Sequence, residues 1–298
     1  MVLNHGGKDL SEQKTHGIWA TDDFSHGVTS NMNNYKLDNY VTLIPLYCNY
    51  YGPNRPTGFG QHAWQPDNFS PDLAVQKLFS ELKQFILKNP EYTGVLQTEI
   101  EGYGDIYNYT NHTIKIKNLT HVFNDIESIA DIRTNWNNIR MLWYLKNIHE
   151  NIKPVWEFDN IIDFGAGTGH FIYHCYQVGF KGEVQIVDLP QTIPIQKHVL
   201  RGLNIRWVGT KELLTNLPNT LFNSTWGFSE TPLNLREELP DISKCSKFIT
   251  FQHNFEGIDN KKDMLGRFLQ KGNTITKNIS VLVPWDGGST MLMSKSFI

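Results

Sequence analysis

The stretch IIDFGAGTGHF, from Ile161 to Phe171, holds the residues best suited to ligand chemistry. Two apolar residues lead to Asp163. Gly165, Gly167 and Gly169 follow at alternate positions, and His170 comes next. In an open α/β sheet, ligands bind beyond the carboxyl ends of the strands, where the first strand turns into its helix. Glycine at such a turn permits positive φ and lets a ligand lie directly against the backbone. A second acid, Asp188, sits near the end of the next apolar run, EVQIVDL. At that place a carboxylate can accept both hydroxyls of a ribose.

Three ligand classes compete for this turn. A P-loop requires GxxxxGK[ST], and no lysine follows these glycines. A dinucleotide fingerprint is GxGxxG and needs glycine at position 170, where His170 stands. The third spacing, an acid followed by GxGxG, is that of S-adenosylmethionine (SAM) sites. Charge separates the last two. A pyrophosphate would bring negative charge beside Asp163, whereas SAM brings an ammonium and a sulfonium that a carboxylate attracts. The acid therefore selects a cationic ligand. The plain alternative is that Asp163 and Asp188 are solvated strand ends and the glycines only permit a turn.

The elements that must position this turn are legible downstream. From Asp159, short apolar runs alternate with helical stretches: 160–164, 183–189, 204–208, 222–228 and 247–253. A helix follows that Asn260 would cap, with Met264, Leu265, Phe268 and Leu269 on one face and Gly272 beyond its end. The runs 279–283 and 290–295 close the chain, with Asp286-Gly287 suited to a tight hairpin turn between them. Alternating strands and helices predict a parallel α/β sheet, and the terminal hairpin predicts an antiparallel last strand.

Upstream, residues 1–70 are rich in Asn, Tyr, Gly and Pro and read as an irregular N-terminal segment: tail, lid or interface. Residues 71–154 read as a helical acceptor-side region. Its first helix starts at Ser70-Pro71-Asp72, carries Val75, Leu78, Phe79, Leu82, Phe85 and Ile86 on one face, and ends at Asn89-Pro90. Residues 102–116 read as a loop leading to a strand. A second amphipathic helix spans 134–150, with Trp136, Ile139, Leu142 and Trp143 inward. The core proper is residues 155–298.

These motifs resemble the class I SAM-dependent methyltransferases. DFGAGTG, which includes Asp163, Gly165, Ala166, Gly167 and Gly169, resembles the family's first motif; VDLP, which includes Asp188 and Leu189, resembles its second. Within that superfamily, STWGFSETPLNLREEL (224–239) and FQHNFEGIDN (251–260) look like the sugar O-methyltransferases of surface-polysaccharide gene clusters. The resemblance implies a Rossmann-like, seven-stranded, mostly parallel sheet with helices on both faces. It also implies methyl transfer from SAM to a hydroxyl of a sugar, nucleotide-sugar or glycan, with S-adenosylhomocysteine (SAH) as product.

In such a fold the ends of the fourth and fifth strands border the methyl. His253 is the first candidate for general base, because histidine titrates near neutral pH as a residue type; Glu230 is the second. Ser229 falls to the cofactor side, together with Arg133, which could hold a carboxylate bidentately, as could Arg140. Tyr103, Asp105, His170, Arg236 and Asn254 are candidates for acceptor contact. His170 and His174 have a metal-like i, i+4 spacing, but the pattern lacks an HExxH glutamate, and clustered oxygen ligands are missing, so no metal is expected. Trp226 reads as core.

Composition bounds the other classes. Of 298 residues, 40% are hydrophobic and 19% charged, with a net charge of −3, which describes an ordinary globular chain. The absence of a basic cluster argues against a nucleic-acid partner. The chain has no apolar run of the roughly 20 residues a bilayer span needs. The first residues lack the apolar core of a secretory signal, and Cys48, Cys175 and Cys245 form no paired motif, so a cytoplasmic setting is expected. Two other functions stay open: a methyltransferase of a non-sugar small molecule or amine, and a non-catalytic SAM-fold partner module.

Overall fold

The computed structural model describes residues 73–96, 136–189, 192–255, 257–269, 275–283 and 286–296. Tyr103, Asp105, Arg133, the expected strand near 116 and the segment 1–70 lie outside these residues.

Helix α1, Leu73–Lys88, buries Leu78, Leu82, Phe85 and Ile86. The spacing of these residues puts them on one face of a helix of 3.6 residues per turn. It stops where expected: Asn89 turns its side-chain amide back onto the Phe85 carbonyl at 2.8 Å, and a 3-10 helix, Pro90–Leu96, follows. Helix α2, Trp136–Asn151, buries Ile139, Leu142 and Trp143. It also buries Met141, Tyr144, Leu145 and Ile148, more than one stripe. The reason is its position. It lies between the 3-10 helix and the sheet, so two faces are covered, and Tyr144 meets Phe248 of the sheet at 5.4 Å between ring centroids. Each such buried side chain contributes about 1.5–3 kcal/mol.

The remaining elements are β1 Asn160–Phe164, α3 His170–Gln177, β2 Glu183–Val187, α4 Ile193–Val199, β3 Ile205–Trp207 and β4 Thr220–Thr225. Then come α5 Gly227–Glu230, α6 Leu233–Glu237, β5 Ser246–Gln252, β6 Asn254–Phe255, β7 Ile258–Asp259, α7 Asn260–Leu269, β8 Ile275–Val283 and β9 Asp286–Ser296. Seven strands form one sheet in the order β3-β2-β1-β4-β5-β9-β8. The first five are mutually parallel, and β9 runs antiparallel to both β5 and β8. This is the Rossmann-like class I methyltransferase arrangement, with the strand order reversing between β1 and β4. A crevice at such a reversal is where an open α/β sheet binds its ligand.

One face of the sheet, with Ile161, Leu221, Phe248, Met291 and Met293, packs with α1, α2 and α3 in a single buried cluster. The other face, with Ile162, Phe164, Phe222, Ile249 and Phe251, packs with Phe228 and Met264.

Three local features depart from the expectations or add to them. The closing hairpin turns before Asp286, not at Asp286-Gly287. Val283 pairs with Asp286, so both Asp286 and Gly287 belong to β9. A two-stranded ribbon, β6 with β7, sits between β5 and α7, turning at Gly257 with φ +83°. Third, α7 is capped by Asp259, whose Oδ1 accepts from the Lys262 N–H at 3.0 Å. Asn260 is buried instead, and its side-chain amide donates to the Ser229 carbonyl at 3.1 Å.

Candidate functional site

The site is built on two turns pressed together at the sheet's reversal. Gly165, Gly167 and Gly169 all adopt positive φ, at +78°, +59° and +85°. A Cβ placed on Gly165 would lie 2.6 Å from the Cα of Gly227, and one placed on Gly227 would lie 2.6 Å from the Cα of Gly165. Backbone meets backbone here, so neither turn can carry a side chain without displacing the other. Ser224 stitches the contact. Its hydroxyl donates to the Phe164 carbonyl at 2.8 Å and accepts from the Phe228 N–H at 2.9 Å.

The two acids expected to serve the ligand have different surroundings. Asp188 is half-buried and fully engaged by its own fold. Its Oδ2 accepts from the Gly167 N–H at 2.8 Å and from the Gln196 amide at 2.7 Å; its Oδ1 accepts from the Leu189 N–H at 2.7 Å. Gln196 also donates to the Gly167 carbonyl at 2.9 Å and accepts from the Trp207 indole at 3.0 Å. Asp188 is thus a brace that ties the glycine turn to the end of β2. A carboxylate offers about four acceptor positions, so about one remains for a ligand hydroxyl rather than two. Burial raises its pKa to about 6, against the lowering effect of those hydrogen bonds.

Asp163 is completely buried and far less well satisfied. Its Oδ1 accepts from the Asn223 amide of β4 at 2.7 Å, whereas its Oδ2 has no hydrogen-bond partner among the described residues. Desolvation pushes its pKa up to about 7; the Asn223 bond opposes this and the nearby Asp188 adds to it. An unsatisfied buried carboxylate oxygen is costly to a fold. Asn223 Oδ1 and Thr250 Oγ1, on the same face of β4 and β5, also lack partners among the described residues. The face below α2 therefore presents a carboxylate oxygen, an amide oxygen and a hydroxyl without hydrogen-bond partners among the described residues.

The histidines of α3 face inward. His170 and His174 are both buried, with ring centroids 6.3 Å apart. His170 exchanges a hydrogen bond through Nδ1 with the Thr168 hydroxyl; His174 donates from Nδ1 to Gln177 at 2.8 Å. Desolvation lowers both pKa values, that of His170 well below the ordinary one (with His174 and Arg140 adding) and that of His174 to about 4. Both are neutral at physiological pH. Among the described residues, no group of three or more His, Cys, Asp or Glu side chains is placed to hold a metal ion.

At the end of β4, Ser229 and Arg236 are buried and mutually engaged. The Ser229 hydroxyl donates to the Trp226 carbonyl at 2.8 Å. The Arg236 guanidinium donates to the carbonyls of Ser229 and Thr231, both at 2.6 Å, and pairs with Asp263 at 2.7 Å. Arg236 thereby locks the β4–α5–α6 connection onto α7, which leaves it little reach toward an acceptor. Glu230 ends α5 and His253 follows β5; both are half-buried. His253 packs near Phe251 at 6.4 Å between centroids, and its carbonyl accepts from the Lys261 N–H. Asn254 lies in β6, its side chain outside the described residues.

Sequence reasoning missed Asn223, Thr250, Gln196 and the conformation of Trp226. Asn223 and Gln196 are ordinary polar residues whose importance arises from partners distant in sequence, and Thr250 is one whose place on this face is set by strand register. Trp226, expected in the core, is half-buried and packs against the α2-side cluster, with φ +76° and ψ −31°.

No family model matches this chain, and no curated protein matches it. Solved structures similar to it include a Thermoplasma acidophilum protein, at 14% identity, covering 53% of this chain and 89% of that one, with a TM-score of 0.40. A SAM-dependent methyltransferase from Aquifex aeolicus is similar at 18% identity, covering 45% and 80%, with a TM-score of 0.35. A precorrin-6y C5,15-methyltransferase from Geobacter metallireducens is similar at 12% identity, covering 47% and 81%, with a TM-score of 0.32. At such values the likeness leaves the reading of this molecule to its own strand order and site geometry.

Proposed function

We propose that this protein is a SAM-dependent O-methyltransferase whose acceptor is a hydroxyl of a sugar or glycan. The observation that supports the donor is Asp163: buried, with an acceptor oxygen that no described residue satisfies, beside a glycine turn at the sheet's reversal. A phosphate group placed there would meet a carboxylate, whereas an ammonium would satisfy it. The residues present fit the donor. Asp163 would take its ammonium, the backbone of Gly165, Ala166, Gly167 and Gly169 would lie against it, and Asp188 with Leu189 would receive its nucleoside end. When bound, the donor supplies an electrophilic methyl on sulfur.

The chain's own task is then to orient the acceptor and remove its proton. A sugar hydroxyl is a poor nucleophile near neutral pH, so a base within hydrogen-bond reach accelerates its attack. His253 is assigned that role, because it follows β5 beside the crevice and is only half-buried. Glu230 is the second choice. Ser229, expected on the donor, is given the task of holding the Trp226 turn. Tyr103, Asp105, Arg133 and Asn254 keep their proposed ligand roles from sequence. The sugar acceptor rests on the resemblance carried by residues 224–239 and 251–260.

Calorimetric titration with SAM tests the donor, and saturable binding that Asp163→Asn weakens is expected. A panel of nucleotide-sugars, glycosides and amines, read by SAH release, tests the acceptor. Release with amines alone would move the acceptor to that class. Binding without turnover on any of them would make the protein a non-catalytic module. Binding of a nicotinamide dinucleotide in place of SAM would refute the donor.

A further inference from the structure

We propose that Trp226 presents its indole face to the sulfonium of the donor and so reads the charge on sulfur; this rests on the donor reading above. The argument begins with strand alternation. Along β4, Leu221 packs on the face covered by α2 and Phe222 on the opposite face. Asn223 and Thr225 continue the first set, Ser224 the second. A regular strand would carry Trp226 to the side of Phe222 and Ser224. Instead its backbone turns to φ +76°, and the indole packs against the α2-side cluster, in company with Ala166 of the glycine turn.

Trp226 and Asn219 are the two non-glycine residues with positive φ among those described. Asparagine tolerates that region; a bulky aromatic does so at an energetic cost. Strain of this kind persists where the surroundings over-determine it, and it clusters at ligand sites. The surroundings here do so. The Trp226 N–H donates to the Thr250 carbonyl at 2.8 Å, its carbonyl accepts from the Ser229 hydroxyl and the Glu230 N–H, and the next residue, Gly227, is pressed on Gly165. The strain brings an electron-rich ring to the face that also holds Asp163, Asn223 and Thr250. One carboxylate, two unsatisfied neutral oxygens and an indole on one face form a cation-recognising wall. The carboxylate suits an ammonium; the ring suits a soft, poorly hydrated cation such as a sulfonium.

Donor and product test this directly, since SAM and SAH share every group except the charged, methylated sulfur. The full chain is titrated calorimetrically with SAM and with SAH, unaltered and as W226G and W226F. Glycine accepts φ +76° without strain, which offsets part of the packing lost with the indole, and thermal unfolding of W226G and W226F checks that both variants are folded under the titration conditions. The expected result is a loss of SAM affinity of about 3- to 30-fold in W226G, the range of a cation–π contact, with SAH affinity within about twofold. W226F, which keeps a weaker ring, should fall between. Equal weakening of both ligands, or no change in either, overturns the proposal while leaving the donor reading intact. Failure of the unaltered chain to bind either ligand overturns the donor reading and this inference with it.

Discussion

The contact between Gly165 and Gly227 makes a prediction in which one substitution has opposite signs at two helical glycines. Gly227 opens α5 and Gly266 lies within α7, and neither has positive φ. Alanine in a helix is favoured over glycine by roughly 0.5–1 kcal/mol when nothing else changes. At Gly266 a Cβ meets nothing within 4 Å, so Gly266→Ala should stabilise the protein by about that amount. At Gly227 the same Cβ would stand 2.6 Å from the Gly165 Cα and 2.8 Å from the Phe164 carbonyl oxygen. Both obstacles are backbone, and Gly165 is held by its N–H bond to the Val187 carbonyl at 2.8 Å. Overpacking of a rigid site costs about 1–3 kcal/mol, so after the helical gain Gly227→Ala should destabilise by roughly 1–2 kcal/mol. Its relief requires the glycine turn to move, so SAM affinity should fall by at least about tenfold. Urea unfolding of both variants, with SAM titration, measures the two effects. Equal stabilisation by both substitutions, with SAM affinity intact, would refute the claim that the turns are pressed together.

Other consequences follow from the acids and caps. Asp163 carries a pKa raised to about 7, so it is ionised above that value and protonated below it. A cationic ligand needs the ionised form, and SAM affinity should therefore rise with pH, being about eightfold weaker at pH 6 than at pH 7.5. Asp163→Asn should flatten that profile, and a flat profile in the unaltered protein would count against the ammonium assignment. By the same linkage, Asp163 lowers folding stability progressively as pH rises from about 4 through 7, so in the absence of ligand Asp163→Asn should gain stability relative to the parent at pH 7.5 but not at pH 4.5. Asp188→Ala removes the acceptor of three hydrogen bonds; urea unfolding should show a loss of about 1–3 kcal/mol even without ligand, unlike the loss of a residue that only touches a ribose. Asp259→Ala should cost about 1 kcal/mol through loss of the α7 cap, whereas Asn260→Asp, at the residue expected to cap, should be damaging because it replaces a buried amide donor to Ser229 with an acceptor. With any acceptor that supports turnover, His253→Ala should lower kcat by about 100-fold or more while SAM affinity stays within about twofold.

What could be read before folding was whatever a local pattern encodes. The alternating glycines permitted a turn of positive φ, and all three have it. Short apolar runs separated by helical stretches required a parallel sheet, and the order β3-β2-β1-β4-β5-β9-β8 is built from those runs. The face of α1 was legible because, among its described side chains, those of one side are the buried ones. Features that depend on a partner distant in sequence were not legible. Asn223 matters only because register sets it opposite Asp163, and Gln196 only because α4 lays it across the glycine turn. Arg236 stood among the acceptor candidates, within the stretch 224–239 that carries the sugar resemblance; its commitment to Ser229, Thr231 and Asp263 depends on α7 arriving alongside. Asp259 and Asn260 are adjacent and chemically similar, so composition could not say which one caps. The backbone at Trp226 is held by its bonds to Thr250, Ser229 and Glu230 and sits next to the close approach of Gly227 to Gly165, which no propensity of tryptophan would suggest.

On the proposed donor reading, the two acids at the glycine turn divide a task that one could not perform. A carboxylate that holds the turn must be saturated by protein donors, as Asp188 is by Gly167, Leu189 and Gln196, and saturation leaves little to offer a ligand. A carboxylate that attracts a cation must keep an oxygen unsatisfied, and that costs stability in the empty protein. The placement of Asp163 limits the damage: Asn223 satisfies one oxygen, and a pKa near 7 lets the group shed its charge when no cation faces it. A cationic ligand then gains on two counts, the Coulomb attraction and the relief of a buried, unsatisfied oxygen. On that logic Asn223→Asp should be the most informative change at the site. It would set two buried carboxyls side by side across β1 and β4, so the pair would lose its protons in two steps, the second above the pKa of Asp163 alone, and the upper midpoint of the SAM affinity profile would shift upward. An unshifted midpoint would mean that Asp163 is not the group the ligand reads.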